Sequence, residues 1–260
     1  MFSIGETGRN KRNLASSLAK EAPEEILTEN ISMRDSIAKG ENSMIVQIDA
    51  EFPTDGNLLA INSIQEWMSE TMGGTYNESL KDGKKMVKYY YTKARNELKE
   101  DLEQEDCSFL LVQHFTKGYE TDKFVTYNFT QESYAGGAHG SYYSTGETFR
   151  KLDGRRLGHE IFRHDRLDSL RKLITNALIK QFFGTAEDLA AAAVDGPTSI
   201  FLPNSAPLFE KDGIRFTYQE YEFTFYAAGS PTCVISYAEI EPFLTVTAKS
   251  LIPNTQLATK

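Results

Sequence analysis

The chain has 260 residues, of which 40% are hydrophobic and 12% aromatic, so it can bury a core without metal ions or disulfides. Its 28 basic and 37 acidic residues give a formal net charge of -9. This charge repels phosphate backbones and anionic lipid headgroups, so we expect no nucleic-acid partner. A basic protein or a neutral glycan suits it better.

The N-terminal part begins with a polar segment and continues into strands. Residues 1–23 are weakly patterned, which predicts a tether or a partly ordered arm. Apolar residues then alternate over 27–33 and recur over 44–48, on either side of a turn at 39–42. This pattern predicts a β-hairpin.

Two long helices are predicted next. Apolar residues recur at helical spacing over 58–72, where Gly73 ends the run, and Trp67 is expected in the core. A second amphipathic helix is predicted over 80–103. Its polar face carries basic residues first and acidic residues later, which is the reverse of what the helix macrodipole favours. We interpret this face as solvated.

The hydrophobic period then changes to two, which predicts three strands. They are residues 108–115, 124–129 and 141–149. A glycine-rich stretch at 134–140 joins the last two.

The C-terminal part returns to helices before its last strands. A helix capped by Asp165 is predicted to run to Gly184, and Thr185 is predicted to cap a short helix over 186–194. The remaining elements are two strands and a short helix. They are predicted at residues 214–225, 232–237 and 238–244.

Because strands and helices occur in groups, the sequence predicts an α+β fold. We expect largely antiparallel sheets with long amphipathic helices packed on one face. Two similar α/β lobes, over 24–140 and 141–260, are one arrangement, and a single fused sheet is the other.

No metal or cofactor site is expected. Cys107 and Cys233 lack ligand spacing, and either two free buried thiols or one long-range disulfide remains open. His159 and His164 are five residues apart, so a helix would point them in different directions. No glycine-rich nucleotide-binding motif is present.

His139 is the histidine of greatest interest, because glycines at 136, 137 and 140 let the backbone approach another group closely. A general base would need a nucleophile and an orienting carboxylate. Ser141, Ser144 and Glu147 are near in sequence, but alternation along a strand would scatter them over both faces. A structural histidine is the favoured interpretation, and a catalytic one is the alternative.

The segment 216–229 is unusually rich in aromatic residues. Alternation along a strand directs the side chains of Phe216 and Tyr218 to one face. After a bend, the later rings point to the opposite face. Part of the segment is expected in the core. The favoured interpretation places all of these rings in the core. The alternative is that the rest of the segment, with the loop that follows, forms amphipathic rings suited to gripping a protein or glycan. The candidate binding residues are Tyr221, Phe225, Tyr226, Gly229 and His139.

This segment carries a family resemblance. Residues 213–229 and 236–244 resemble the bacterial family of unknown function numbered 3298. Residues 134–140 resemble the junction at which its usual N-terminal companion, family 4163, ends. Residues 152–162 resemble the turn before the family's long helix, and the whole resemblance covers roughly residues 41–244.

The resemblance implies an exported module. Members include an anti-sigma factor that binds lysozyme and peptidoglycan deacetylases that carry the module beside a separate catalytic domain. We therefore expect an extracytoplasmic lipoprotein, in the periplasm or at the cell surface, that recognises a cell-wall enzyme such as lysozyme or the peptidoglycan itself. Membrane attachment is expected only through a lipid anchor outside this sequence. Where members commonly have proline before the tyrosine of the aromatic corner, this chain has Phe225 before Tyr226.

Two other functions remain open. One is a hydrolase or deacetylase acting on peptidoglycan through His139. The other is a passive structural protein of the envelope.

Overall fold

The computed structural model describes residues 25–194, 196 and 200–253. The arm predicted over 1–23 lies outside the described residues. So do Asp195 and Pro197, near the predicted end of the short helix. The described chain is an α+β fold with a five-stranded mixed sheet and a three-stranded antiparallel sheet, which confirms the predicted fold class.

The larger sheet has its strands in chain order. They are β1 (Leu27–Lys39), β2 (Asn42–Asp55), β3 (Phe109–Glu120), β4 (Phe124–Ala135) and β5 (Ser141–Arg150). The predicted hairpin is confirmed, because β1 and β2 pair antiparallel from Lys39 opposite Asn42. Only the β2–β3 pair of this sheet is parallel. Such a pair needs a long crossover connection.

That crossover contains the two predicted helices, α1 (Leu58–Thr71) and α2 (Gly83–Gln104). They pack against the larger sheet and bury a shared apolar cluster. Trp67 is 5% exposed, as predicted, and its ring meets Phe115 and Phe149 edge-on at centroid distances of 5.7 and 5.9 Å. The hydrophobic period therefore predicted both helices and the face that they bury.

The smaller sheet lies in the C-terminal part of the chain. Its strands are β6 (Leu208–Phe209), β7 (Gly213–Thr217) and β8 (Thr232–Ser236). It is joined to the larger sheet through hydroxyl groups. Thr126 Oγ1 donates to the carbonyl of Phe209 at 2.7 Å, and the Phe209 amide donates to Thr148 Oγ1 at 3.1 Å. Since β5 pairs along β4, the larger sheet extends past residue 140. The division into two lobes stays a prediction.

The C-terminal helices are α3 (Leu167–Leu178), α4 (Ala186–Ala192), α5 (Tyr237–Ile240) and α6 (Val246–Lys249). Thr185 caps α4 as predicted, because its hydroxyl accepts from the Asp188 amide at 3.1 Å. The predicted Asp165 cap of α3 is wrong. The cap position is Arg166, and the Asp165 carboxylate is instead paired with Arg163 at 2.7 Å.

The strand predicted over 214–225 is also only partly correct, because β7 ends at Thr217. The chain then turns, and the carboxylate of Glu222 holds the turn. It accepts from the amide of Gln219 at 2.7 Å and from the amide of Asn204 at 2.6 Å. We call residues 218–231 the ring loop.

A buried ionic cluster ties the start of β1 to the ends of β3 and β5. Lys151 is 2% exposed, and its ammonium lies 2.5 Å from Glu120 Oε1. The other carboxylate oxygen of Glu120 accepts from Lys117 Nζ at 2.9 Å. The amide of Ile26 also donates to Glu120, at 2.9 Å. This carboxylate therefore joins three separate segments of the chain.

Both cysteines are free thiols, which excludes the disulfide alternative. Cys233 is buried in the C-terminal core, and this burial raises the pKa of its thiol to about 12. In the part of the chain that the structure describes, no helix combines the length and hydrophobicity required to cross a bilayer.

Candidate functional site

The candidate site lies where the ring loop meets the turn between β4 and β5. The side-chain amide of Gln219 pairs with the backbone of Ser144: its Oε1 accepts from the amide at 3.1 Å and its Nε2 donates to the carbonyl at 2.6 Å. Glu220 accepts from the amide of Tyr142 at 3.1 Å. These contacts hold the ring loop along the outer side of β5.

Three rings from the two segments stack on one another, and we call His139, Tyr221 and Tyr226 the ring cluster. The centroids of His139 and Tyr226 are 3.7 Å apart with an interplanar angle of 18°. Tyr226 and Tyr221 are 5.7 Å apart at 29°. The structure thus brings together residues that are more than 80 positions apart in the sequence.

Hydrogen bonds fix the orientation of the imidazole. His139 Nδ1 lies 2.8 Å from the carbonyl oxygen of Gly140, and a carbonyl can only accept, so Nδ1 carries the proton. In the neutral imidazole, Nε2 is then an acceptor, and it lies 3.2 Å from the hydroxyl of Tyr221. The hydroxyl of Tyr226 donates to the same Gly140 carbonyl at 3.1 Å.

The backbone under the ring cluster is unusual at Tyr221. Among the residues described, Tyr221 is the one non-glycine residue with a positive φ, at 63°. A left-handed conformation costs a residue with a Cβ about 1–2 kcal/mol. Gly229 also has a positive φ, at 69°, where its amide donates to the Tyr226 carbonyl at 2.8 Å and closes the turn.

Exposure divides the aromatic segment into two groups. Phe216 and Tyr218 are fully buried, whereas Tyr221 is 60% and Phe225 52% exposed. Tyr226 is half-buried. The interpretation that places every ring in the core is therefore wrong. The binding role of the exposed rings stays a prediction.

The side chains around His139 do not form a general-base arrangement. The bonds of its two ring nitrogens go to a carbonyl and to a phenol, and no carboxylate of the described residues is bonded to the ring. Ser141 is bonded to Ser133 at 2.9 Å. Across the described ranges, no group of three or more His, Cys, Asp or Glu is arranged to hold a metal ion.

Glu147 lies outside the hydrogen bonds of the ring cluster and has an altered protonation equilibrium. Burial raises the pKa of this carboxyl to about 7. The positive charge of Arg156 opposes this shift, and the carboxylates of Glu160 and Glu70 add to it.

Sequence reasoning missed the residues that position the ring cluster. Gln219, Glu220 and Glu222 hold the loop through their side chains. Their signal in the sequence is weak, because polar residues in an aromatic run also fit the outer face of a strand.

The fold and the site together define an α+β protein with an exposed cluster of stacked rings between a hairpin and a C-terminal loop. Residues 159–238 match the family described as "Protein of unknown function (DUF3298)". The matched segment includes Tyr221, Phe225, Tyr226 and Gly229, whereas His139 precedes it.

The solved structures that share the fold include two described as DUF3298 family proteins. A DUF3298 family member from Bacteroides fragilis has a TM-score of 0.70 at 19% identity, over 92% of this chain and 100% of that chain. A DUF3298 family protein from Pseudomonas aeruginosa has a TM-score of 0.63 at 14% identity, over 88% of this chain and 98% of that chain. At these identities the likeness shows the fold alone. No curated protein matches the chain.

Proposed function

We propose that this protein is an extracytoplasmic binding module, anchored as a lipoprotein, that recognises a basic cell-envelope protein through its ring cluster. The contact surface comprises the ring cluster with Phe225 beside it and Gly229 at the end of the turn. Lysozyme is the probe of choice, because the resemblance described above points to it. From the motif at 134–140, we also infer that the N-terminal part corresponds to companion family 4163.

The observation that carries the proposal is the state of Tyr221. Its backbone is held in a left-handed conformation and its ring is 60% exposed, so burial of the ring does not offset that cost. Strained residues of this kind concentrate at binding and catalytic sites. A rigid tyrosine that already points into solvent loses little side-chain entropy on binding.

The charge of the molecule favours a basic partner. The net charge of -9 accelerates encounter with a cation at moderate salt. Glu220, the residue before Tyr221, adds a carboxylate to this region, where it accepts from the Tyr142 amide. A cell-wall glycan is the alternative ligand, since exposed rings also stack on sugars, and it is one arm of the test.

The test is calorimetric titration of the protein with hen lysozyme and, separately, with soluble peptidoglycan fragments. We expect binding to lysozyme that weakens as salt increases, because surface charges are screened. Binding only to the fragments would reassign the ligand to glycan. Heat from neither ligand, with the fold intact, would favour a passive structural protein.

A matched pair of variants locates the surface. Tyr221→Gly removes an exposed ring and relieves the backbone, so we expect it to abolish binding and leave the melting temperature nearly unchanged. Phe182→Ala removes a ring that is 41% exposed and contacts Phe183 rather than the ring cluster. We expect it to bind as the unmodified protein does, and an equal loss in both variants would contradict the assignment.

A further inference from the structure

A second site lies on α2, far in sequence from the ring cluster. One face of α2 and the segment that precedes it line a shallow, solvent-open groove of about 470 Å³, which we call the α2 groove. Sites for small ligands occupy roughly 300–1,000 Å³. The groove is lined by Tyr76, Lys85, Lys88, Tyr89, Lys93 and Asn96, among others.

The aromatic side of the α2 groove is held in place without a ligand. The rings of Tyr76 and Tyr89 lie 5.4 Å apart, and Tyr89 meets Tyr90 edge-on at 5.1 Å. The hydroxyl of buried Tyr90 accepts from the Tyr76 amide at 2.9 Å and lies 2.8 Å from the Ser69 hydroxyl. Tyr89 remains 39% exposed. A preformed platform of this kind reduces the ordering cost of binding.

The lining of the α2 groove is also positively charged. Three lysines line it, against the single carboxylate of Glu78. Lys85 lies 3.4 Å from Asp82, but the salt bridges found among the described residues include neither Lys88 nor Lys93. Both are exposed on α2. A protein of net charge -9 thus gathers positive charge beside a pair of tyrosine rings.

The position of these lysines on the helix is unfavourable for folding. The first turn of α2 contains Lys84 and Lys85 and no acidic residue, and its last turn contains no basic residue. The helix macrodipole favours the reverse distribution. Negative charge bound over the N-terminal half of α2 would relieve this repulsion. Glu29 and the N-cap Asp82 already pair with Lys84 and Lys85 at 3.0 and 3.4 Å, so Lys88 and Lys93 are the lysines of this half of the helix that an external anion would neutralise.

We propose that the α2 groove binds a short saccharide that carries carboxylate groups. The tyrosine rings would stack on the sugar faces, Thr92 and Asn96 would hydrogen-bond its hydroxyls, and Lys88 and Lys93 would neutralise its carboxylates. Long polyanions fit poorly, because the net charge of the whole protein repels them. The proposal shares no residue with the ring cluster, so it stands or fails independently of the proposed function.

The first experiment titrates the whole protein with digalacturonate and, as a matched neutral ligand, with its methyl ester. The two ligands have the same sugar rings and differ in charge. We expect the acid to bind at low ionic strength and the ester to bind about tenfold more weakly, a difference of about 1.4 kcal/mol. No binding of the acid, or equal binding of both ligands, would overturn the proposal.

Variants then place the ligand in the α2 groove. Lys88→Gln combined with Lys93→Gln is expected to weaken binding of the acid about tenfold. Lys99→Gln is the control, because this residue lies on the same helix outside the groove and is paired with Glu103 at 3.8 Å. An equal effect of the double variant and the control would contradict this location.

Substitution of Tyr89 tests whether the ligand is a saccharide rather than any anion. Tyr89→Leu keeps an apolar side chain but removes the platform, so we expect weaker digalacturonate binding with an unchanged melting temperature. ATP serves as an anion without a uronate. If ATP binds as tightly as digalacturonate and Tyr89→Leu changes neither affinity, the groove is a general anion site and the saccharide proposal is wrong.

Discussion

Two clusters in this protein join distant parts of the chain, and they differ in where their polar groups lie. The Glu120 cluster is buried, and its carboxylate satisfies two lysines and a backbone amide within the protein. The ring cluster is open to solvent, and it holds Tyr221 in an unfavourable backbone conformation. The buried network stabilises the fold, whereas the solvent-exposed one is the surface to which we assign recognition in our proposal. Substitutions that change stability and binding separately test this distinction.

The largest effect is expected from Glu120→Ala. It removes the carboxylate beside Lys151, which is 2% exposed, and breaking a buried ion pair costs about 3–5 kcal/mol. Chemical denaturation measures the loss. Glu103→Ala is the control, since its pair with Lys99 is exposed and is worth less than about 1 kcal/mol. Similar losses in the two variants would show that the Glu120 cluster is not a buried network.

Glu147 is expected to make stability depend on pH. Its pKa is raised from 4.5 to about 7 on folding, so the folded state binds the proton more tightly than the unfolded state. Stability therefore falls as the pH rises from about 5 to 8, by up to about 3 kcal/mol. Glu147→Gln should abolish this part of the dependence in denaturation curves at the two pH values. Glu132→Gln, on the neighbouring strand, is the control. Parallel pH profiles for the unmodified protein and Glu147→Gln would refute the assignment.

A smaller effect is expected where the two sheets join. Thr126→Val removes the hydroxyl that donates to the Phe209 carbonyl at 2.7 Å, leaving that buried oxygen without this donor. The expected loss in unfolding free energy is about 1–3 kcal/mol. Thr126→Ser retains the hydroxyl and should lose less. A Thr126→Val variant as stable as the unmodified protein would show that this hydrogen bond does not contribute to stability.

The smallest effect is expected at Tyr221. Both Tyr221→Gly and Tyr221→Ala delete the ring, but only glycine adopts a positive φ freely. We therefore expect the glycine variant to be more stable than the alanine variant by about 1 kcal/mol. Thermal denaturation of the two proteins measures the difference. Equal stability would mean that Tyr221 carries no backbone strain, and it would remove the main support for a functional surface.

Much of the fold could be predicted because local patterns determine it. The period of apolar residues placed α1, α2 and the β1–β2 hairpin, and Thr185 gave the start of α4. The end of β7 could not be predicted in this way. No glycine or proline occurs between Thr217 and Phe225, and the turn depends on the carboxylate of Glu222 bonding amides at 204 and 219.

The candidate site, too, could be predicted only in part from local sequence patterns. His139 attracted attention through its glycines and Tyr221 through its aromatic neighbours, each from its own local sequence. Their contact depends on Gln219 pairing with Ser144, a tertiary interaction 75 residues apart that no local pattern encodes. The sequence therefore identified the residues but not their assembly.

The pairing of Gln219 with Ser144 has a further consequence for how the molecule behaves in crowded surroundings. An outermost strand with free amides and carbonyls can recruit a strand from another chain and start aggregation. Here the ring loop occupies the Tyr142 and Ser144 amides and the Ser144 carbonyl of β5 with side-chain groups. The segment that presents the exposed rings thus also shields the border of the sheet from self-association.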